Sequence, residues 1–254
     1  MILKGLVANH RTSYRASLNV HPMAILNIIE VFRDKNLLVR VRAELTAAGL
    51  QVPRSSQGID KLLSLPLLQS IYAELLRLRV EVQTVFSSDR EDIRINEWRF
   101  PKGSLVIVPA AAAHRDPSFW NTKDGEHPLD RFWADRFLAY PNDPRSGPQR
   151  SAAANGFHLE EETAESAADP TRAKFVSSGL ANSFIPYGIG ERTCPGRGFA
   201  RREIVAFCAT MVNQFDIEIL STENDFDLSP AFYGLGTQRP LRKIPFKVRK
   251  RKMK

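Results

Sequence analysis

Phe184-Ile-Pro-Tyr-Gly-Ile-Gly-Glu-Arg-Thr-Cys-Pro-Gly-Arg-Gly-Phe199 is the stretch whose reading decides the fold. Gly188 and Gly190 can take positive φ without a Cβ clash, so this backbone can close into a tight hairpin whose N–H groups turn inward. Cys194 precedes Pro195, and proline at the first position of a helix loses only an N–H that has no partner there anyway. A helix is therefore expected to start directly behind the cysteine. Its positive end and the loop N–H groups favour thiolate over thiol, the form in which cysteine is a soft ligand to iron. Gly196 leaves room for a flat ring against the backbone. Arg192, two residues before the cysteine, is expected to grip a carboxylate with its paired N–H groups. The plainer alternative is a glycine-rich turn ahead of an ordinary helix, with an inert buried thiol.

At these positions the chain resembles the cytochrome P-450 family, whose cysteine loop reads Phe-Gly-x-Gly-x-Arg-x-Cys-x-Gly. Tyr187, Gly188, Gly190, Arg192, Cys194 and Gly196 occupy the pattern, and Tyr187 is the one departure from it. Tyrosine keeps an aromatic shield over the sulfur but adds a hydroxyl that needs a partner when buried, with a consequence for the potential of the iron. The resemblance implies haem b with Cys194 as its axial iron ligand and Arg192 on a propionate. It also implies a mainly α fold with small β-sheets (α+β), one domain over residues 1–254. These correspond to the C-terminal part of the family's chain, truncated at the N-terminus.

Composition sets the outer bounds. The chain has 254 residues, 43% of them hydrophobic and 25% charged, which suits a globular core and excludes disorder throughout. Two cysteines, Cys194 and Cys208, make no disulfide framework, so a reducing compartment fits and Cys208 reads as a small buried apolar residue. Six of the eight net positive charges sit at Lys247, Arg249, Lys250, Arg251, Lys252 and Lys254, leaving +2 for residues 1–246. A nearly balanced body gives no reason to expect a nucleic-acid partner. The basic tail, 247–254, reads as a solvated chain end, with an anionic membrane surface or a nuclear signal as alternatives. Lys4 and Gly5 interrupt the apolar stretch Ile2 to Val7, so neither a membrane span nor a signal peptide is expected. By resemblance, a complete chain carrying the family's N-terminal anchor would sit on the cytoplasmic face of the endoplasmic reticulum membrane.

Taken in order, residues 17–33 are apolar nearly all round, as in a buried helix, and resemble the family's central helix. The family's proton-relay threonine falls on Val20, within Asn19-Val20-His21-Pro22. Either ordered water and Asn19 replace it, or the chemistry differs. His21, beside a helix-bending proline, reads as structural. A second helix over 35–48 places Leu37, Leu38, Val41 and Leu45 on one stripe and stops at Gly49. A helix over 66–79 carries Glu74 and Arg77 on one face; alone the pair reads as solvated, but it matches the family's Glu-x-x-Arg. Residues 80–110 read as a β region: 80–86 alternate, while 95–100 and 104–108 flank the turn Pro101-Lys-Gly103, together suggesting one small antiparallel sheet.

Asp116-Pro117 is expected to open a short helix. Phe132-Trp-Ala-Asp-Arg-Phe137 resembles the family's Pro-Glu-Arg-Phe segment, and by that resemblance Arg136 joins Glu74 and Arg77 in a structural triad. Residues 141–180 read as an irregular excursion. Behind the loop at 184–198, a final helix over 199–215 has Ile204, Val205, Phe207, Cys208, Met211 and Val212 apolar, with Arg201, Arg202 and Glu203 exposed. Arg192, Arg197, Arg201 and Arg202 then form a basic face that suits an acidic flavin reductase, although solvated arginines explain it equally. Residues 233–240 and 244–248 resemble the family's terminal β-hairpin.

The resemblance implies monooxygenation of a lipophilic small molecule, with NADPH supplying electrons through a separate reductase. Val20 keeps open a haem-thiolate isomerase or dehydratase that needs no electron donor. A catalytically inactive fragment is the third reading.

Overall fold

The structure is a computed structural model that describes residues 19–50, 56–150, 173–221, 226, 229, 231 and 234–251. Among the described residues the α-helices are α1 (19–33), α2 (Lys35–Ala47), α3 (Ser56–Leu63), α4 (Pro66–Arg79), α5 (Ala110–His114) and α6 (Arg197–Gln214). The strands are β1 (Val80–Phe86), β2 (Ile93–Ile95), β3 (Trp98–Phe100), β4 (Val106–Pro109), β5 (Leu138–Ala139), β6 (Lys174–Phe175), β7 (Phe215–Ile219), β8 (Leu235–Thr237) and β9 (Phe246–Lys250). Residues 17 and 18, expected at the head of α1, lie outside the described residues, as do 151–172 of the irregular stretch, 233 and 252–254.

Helix α4 is the hub. Pro66 stands at its start, where a missing N–H costs nothing, and its cap comes from another helix: the Glu44 carboxylate accepts from Leu67 N (2.8 Å) and Leu68 N (3.2 Å). Helix α2 is set the same way by its own Asp34, which accepts from Asn36 N and Leu37 N, and Gly49 (φ 68°) turns the chain away after it. From Leu67 to Arg79 almost every residue of α4 is buried. The main core packs Leu68, Ile71 and Leu75 of α4 against Met23, Leu26 and Val31 of α1, Leu37, Val41 and Leu45 of α2, and Ile204, Val205, Cys208 and Val212 of α6. A smaller aromatic cluster joins Ala73 to Trp120, Phe137 and Leu180. Burial pushes the Cys208 thiol up to about 12, as expected of an inert apolar cysteine. Stripe residue Leu38 is only half-buried, and Ile25 of α1 is exposed.

The β region differs from the single sheet read in the sequence. Strand β1 lies between β4 and β8, antiparallel to both, with Gln83 opposite Pro109 and Val80 opposite Thr237. Residues 95–100 are not one strand: β2 and β3 fold back at Asn96 (φ 52°) as a separate hairpin, Ile95 opposite Trp98. Asparagine tolerates that left-handed turn, and a turn every few residues is not visible in an apolar–polar alternation.

The expected terminal hairpin also divides. Strand β8 joins β1, whereas β9 pairs with β7, Phe215 opposite Lys250. That pairing places residues 247–250 of the basic tail in a strand that is exposed throughout, with Lys247 3.8 Å from Glu218 and Arg249 and Arg251 3.5 and 3.8 Å from Asp216. Residues 116–120 form one turn rather than a helix, Trp120 N donating to Asp116 O at 3.0 Å. Helix α6 begins at Arg197 rather than at Pro195, so Cys194 lies in the turn ahead of it, and Phe207 is 42% exposed rather than in the core.

Candidate functional site

Glu74 and Arg77, three residues apart on α4, are 0% and 1% exposed, which rules out a solvated pair. Arg77 Nε donates to Glu74 Oε2 at 2.7 Å and Nη2 to Oε1 at 2.9 Å. Arg136, also fully buried, donates from Nε to both oxygens at 3.0 and 3.1 Å. The other guanidinium hydrogens go to carbonyls of His114 (2.8 Å), Leu129 (2.9 Å), Pro128 (3.2 Å) and Asn121. Burial alone would raise the Glu74 carboxyl; the two guanidinium groups outweigh it and hold the carboxyl below the usual carboxylate range. Ser70 of α4 adds a second tie, accepting from Phe137 N (3.2 Å) while donating to Ala134 O (2.5 Å).

The Cys194 loop is folded by its own backbone. Gly188 (φ 79°) and Gly190 (φ 65°) both take the left-handed conformation. Gly188 N donates to Ile185 O (3.1 Å) and Cys194 N to Tyr187 O (2.9 Å), closing the hairpin that carries the cysteine. One 3-10 turn, Gly190–Arg192, leads to Thr193, whose hydroxyl donates to Gly190 O (2.7 Å). The side chain of Arg192, expected on a carboxylate, lies outside the described residues. Tyr187, the departure from the family pattern, is half-buried, and its hydroxyl meets that of Tyr72 on α4.

Cys194 opens into a cavity of about 730 Å³ between this loop, α1 and the β4-β1-β8 sheet. Tyr187, Gly188, Gly196, Phe199 and Ala200 line it beside the thiol; Val20, Met23, Val80, Val82 and Val85 face it from the other elements. A Cβ on Gly196 would lie 3.8 Å from Cys194 Sγ, in ordinary contact with it, so this glycine stands directly beside the sulfur. Phe199 is 71% exposed and Val85 43%, apolar surface of the kind a bound apolar group covers. Among the described residues no three His, Cys, Asp or Glu converge on a metal position. Cys194 is therefore a single soft donor, and any metal there must bring its other ligands with it. A thiol, a glycine and apolar walls fit an iron porphyrin.

The polar rim is already engaged. Asn19 Oδ1 accepts from Thr237 N (3.2 Å) and Asn19 O from Thr237 Oγ1 (3.1 Å), tying α1 to β8. Val20 is half-buried on the cavity wall. His21, at the rim, is exposed rather than structural, its Nε2 3.7 Å from Glu203 Oε1, and α1 runs on through Pro22. Of the expected basic face, Arg197 and Arg202 are exposed, Arg202 2.8 Å from Asp60; Arg201 is half-buried, donating to Leu63 O (2.9 Å) and Gln69 Oε1 (2.7 Å), and Glu203 is half-buried.

Two residues central to this arrangement were missed in the sequence, Tyr72 and His114. Their signal was indirect: a tyrosine at position 187 demands a partner, and a histidine within an apolar run demands two.

Comparisons with known proteins bear on the same residues. The family model described as Cytochrome P-450 matches residues 26–151 and 158–246. The chain is 36% identical over 244 residues to cytochrome P-450 monooxygenase efuG of Hormonema carpetanum, covering 92% of this chain and 41% of that protein. It is 36% identical over 242 residues to cytochrome P-450 monooxygenase fsoE of Humicola fuscoatra, covering 92% of this chain and 40% of that one. It thus spans about two fifths of the length of these relatives. The solved structure of retinoic acid-bound cyanobacterial CYP120A1 superposes with a TM-score of 0.60 over 91% of this chain and 42% of that chain at 22% identity, a likeness of fold. The matched residues take in α4, the Arg136 segment, the Cys194 loop and α6 alike, and the chain belongs to the cytochrome P-450 family.

Proposed function

We propose that this chain is the cysteine-bearing part of a haem-thiolate monooxygenase acting on a lipophilic small molecule. The observation that carries the reading is Cys194 Sγ at the wall of an otherwise mainly apolar cavity, with no group of three ligand side chains converging there among the described residues. Tyr187, Gly188, Gly190 and Gly196 would seat haem b around Cys194, with Arg192 toward a propionate. The relatives named above as monooxygenases support the same reading. Haem held through Cys194 would supply the activation of O2 and the transfer of one of its oxygen atoms to an organic substrate, the other leaving as water with the two electrons from the reductase.

The chain's own residues shape what reaches that point. Val20, Met23, Val82 and Val85 present an apolar wall that binds by excluding water. Val20 moves no proton, and the Asn19 oxygen is held by Thr237, so protons reach the site through water rather than through an alcohol on α1. Electrons would come from NADPH through a flavin-containing reductase, with Arg197 and Arg202 as exposed cations for its acidic face. Among the described residues no helix is long and apolar enough to cross a membrane; placement on the endoplasmic reticulum would rest on the family's anchor.

The test is the carbon monoxide difference spectrum of the full-length, haem-loaded protein. A red-shifted band typical of thiolate-ligated iron is expected, and Cys194→Ala should abolish it; a variant that keeps the band refutes the assignment. Turnover that rises on adding reductase and NADPH separates monooxygenation from an isomerase that needs no electrons.

A further inference from the structure

We propose that His114 is a positioning residue for Cys194: its ring, protonated at Nδ1 and bare at Nε2, fixes the cysteine loop to the Glu74–Arg77–Arg136 core. The anchoring stands on geometry, and only its consequence for iron rests on the haem-thiolate reading.

His114 closes α5 and is 0% exposed. It exchanges bonds with Arg77: Arg77 Nη1 donates to His114 O (2.8 Å), and His114 Nδ1 lies 3.1 Å from Arg77 O. The far edge of the ring meets the loop, where Ile185 N donates to His114 Nε2 at 3.0 Å. A backbone N–H has no lone pair, so Nε2 must accept; the proton therefore sits on Nδ1, where Arg77 O receives it. Ile185 O in turn accepts from Gly188 N, and Tyr187 O from Cys194 N.

A continuous set of bonds thus runs from Glu74 through Arg77 and His114 into the hairpin that aims the sulfur. The charged groups around the ring are Arg77, Arg115 and Glu74. Burial, then the Arg77 cation, pushes the imidazole down to about 4, so the accepting form persists at neutral pH. A histidine that only filled space would not need both nitrogens in defined roles.

The experiment compares the full-length protein with His114→Asn and His114→Gln. Asparagine can still donate to Arg77 O but is too short to accept from Ile185 N; the glutamine oxygen reaches it. Amide exchange at Ile185 should be about tenfold faster in His114→Asn, the effect of one lost hydrogen bond, and near wild type in His114→Gln. In the haem-loaded proteins, the fraction with the red-shifted carbon monoxide band should fall at least twofold in His114→Asn and recover in His114→Gln.

Unchanged exchange and band in His114→Asn, or a glutamine variant no better than asparagine, overturns the proposal. Faster exchange with an unchanged band also overturns it as a statement about Cys194. If the wild type shows no thiolate band, the haem reading falls and the exchange comparison alone decides the anchoring. Should neither variant fold, nitrogen NMR of the wild-type imidazole decides: a proton on Nε2 overturns the proposal, and a bare Nε2 supports it.

Discussion

Tyr72 and Tyr187 meet hydroxyl to hydroxyl across the seam between α4 and the Cys194 loop. Burial, reinforced at Tyr72 by its partner, raises both phenols above their ordinary value, so neither ionises near neutral pH and each hydroxyl depends on the other. The tyrosine at the family's phenylalanine position is thus satisfied by a second tyrosine two residues before Glu74.

Removing one hydroxyl should hurt more than removing both. Tyr187→Phe or Tyr72→Phe leaves a buried hydroxyl unpaired, a loss of about 1–3 kcal/mol, whereas the double variant should recover most of it. Urea denaturation of the four proteins measures this, and strictly additive losses would sink the idea.

Glu74→Gln should destabilise the chain by about 3–5 kcal/mol, because two buried guanidinium groups then face each other without their carboxylate. The denaturation midpoint reads the loss. A change under 1 kcal/mol would mean that the backbone carbonyls around Arg77 and Arg136 carry the site by themselves.

Acid should weaken the fold in two stages. His114 titrates near 6.5 when unfolded but at about 4 when folded. Between those values the unfolded state binds the extra proton, and stability falls as pH falls, by about 3 kcal/mol in full. Below that window the ring adds nothing further. Glu74, held below the ordinary carboxylate value, loses its contribution as pH falls further, through its folded value. His114→Gln should flatten the first stage only; a slope between pH 6.5 and 4 that survives the substitution assigns it to other groups.

Gly236→Ala should loosen the cavity rim. Gly236 has φ 108°, and a Cβ there would come within 2.8 Å of Asn19 Oδ1, the atom that holds Thr237 N. Strain of about 1–3 kcal/mol is expected, together with weaker binding of apolar ligands seen by spectral titration. Unaltered binding would show that the α1–β8 tie does not shape the cavity.

What the sequence determined by itself was local. Gly188 and Gly190 before Cys194 dictate a hairpin because only glycine enters that backbone region cheaply; Glu74 and Arg77 share a helix face because of the helical period; Leu37, Val41 and Leu45 mark one buried stripe. The family resemblance supplied the long-range pairing of Arg136 with Glu74. Only the tertiary structure decided which strands meet, sending β8 to β1 and β9 to β7, since register between distant strands depends on burial rather than on propensity. It alone brought Tyr72 to Tyr187 and the His114 ring to Ile185. A buried polar atom must find a partner, but the chain's pattern states the need without saying which residue, 71 or 115 positions away, will meet it.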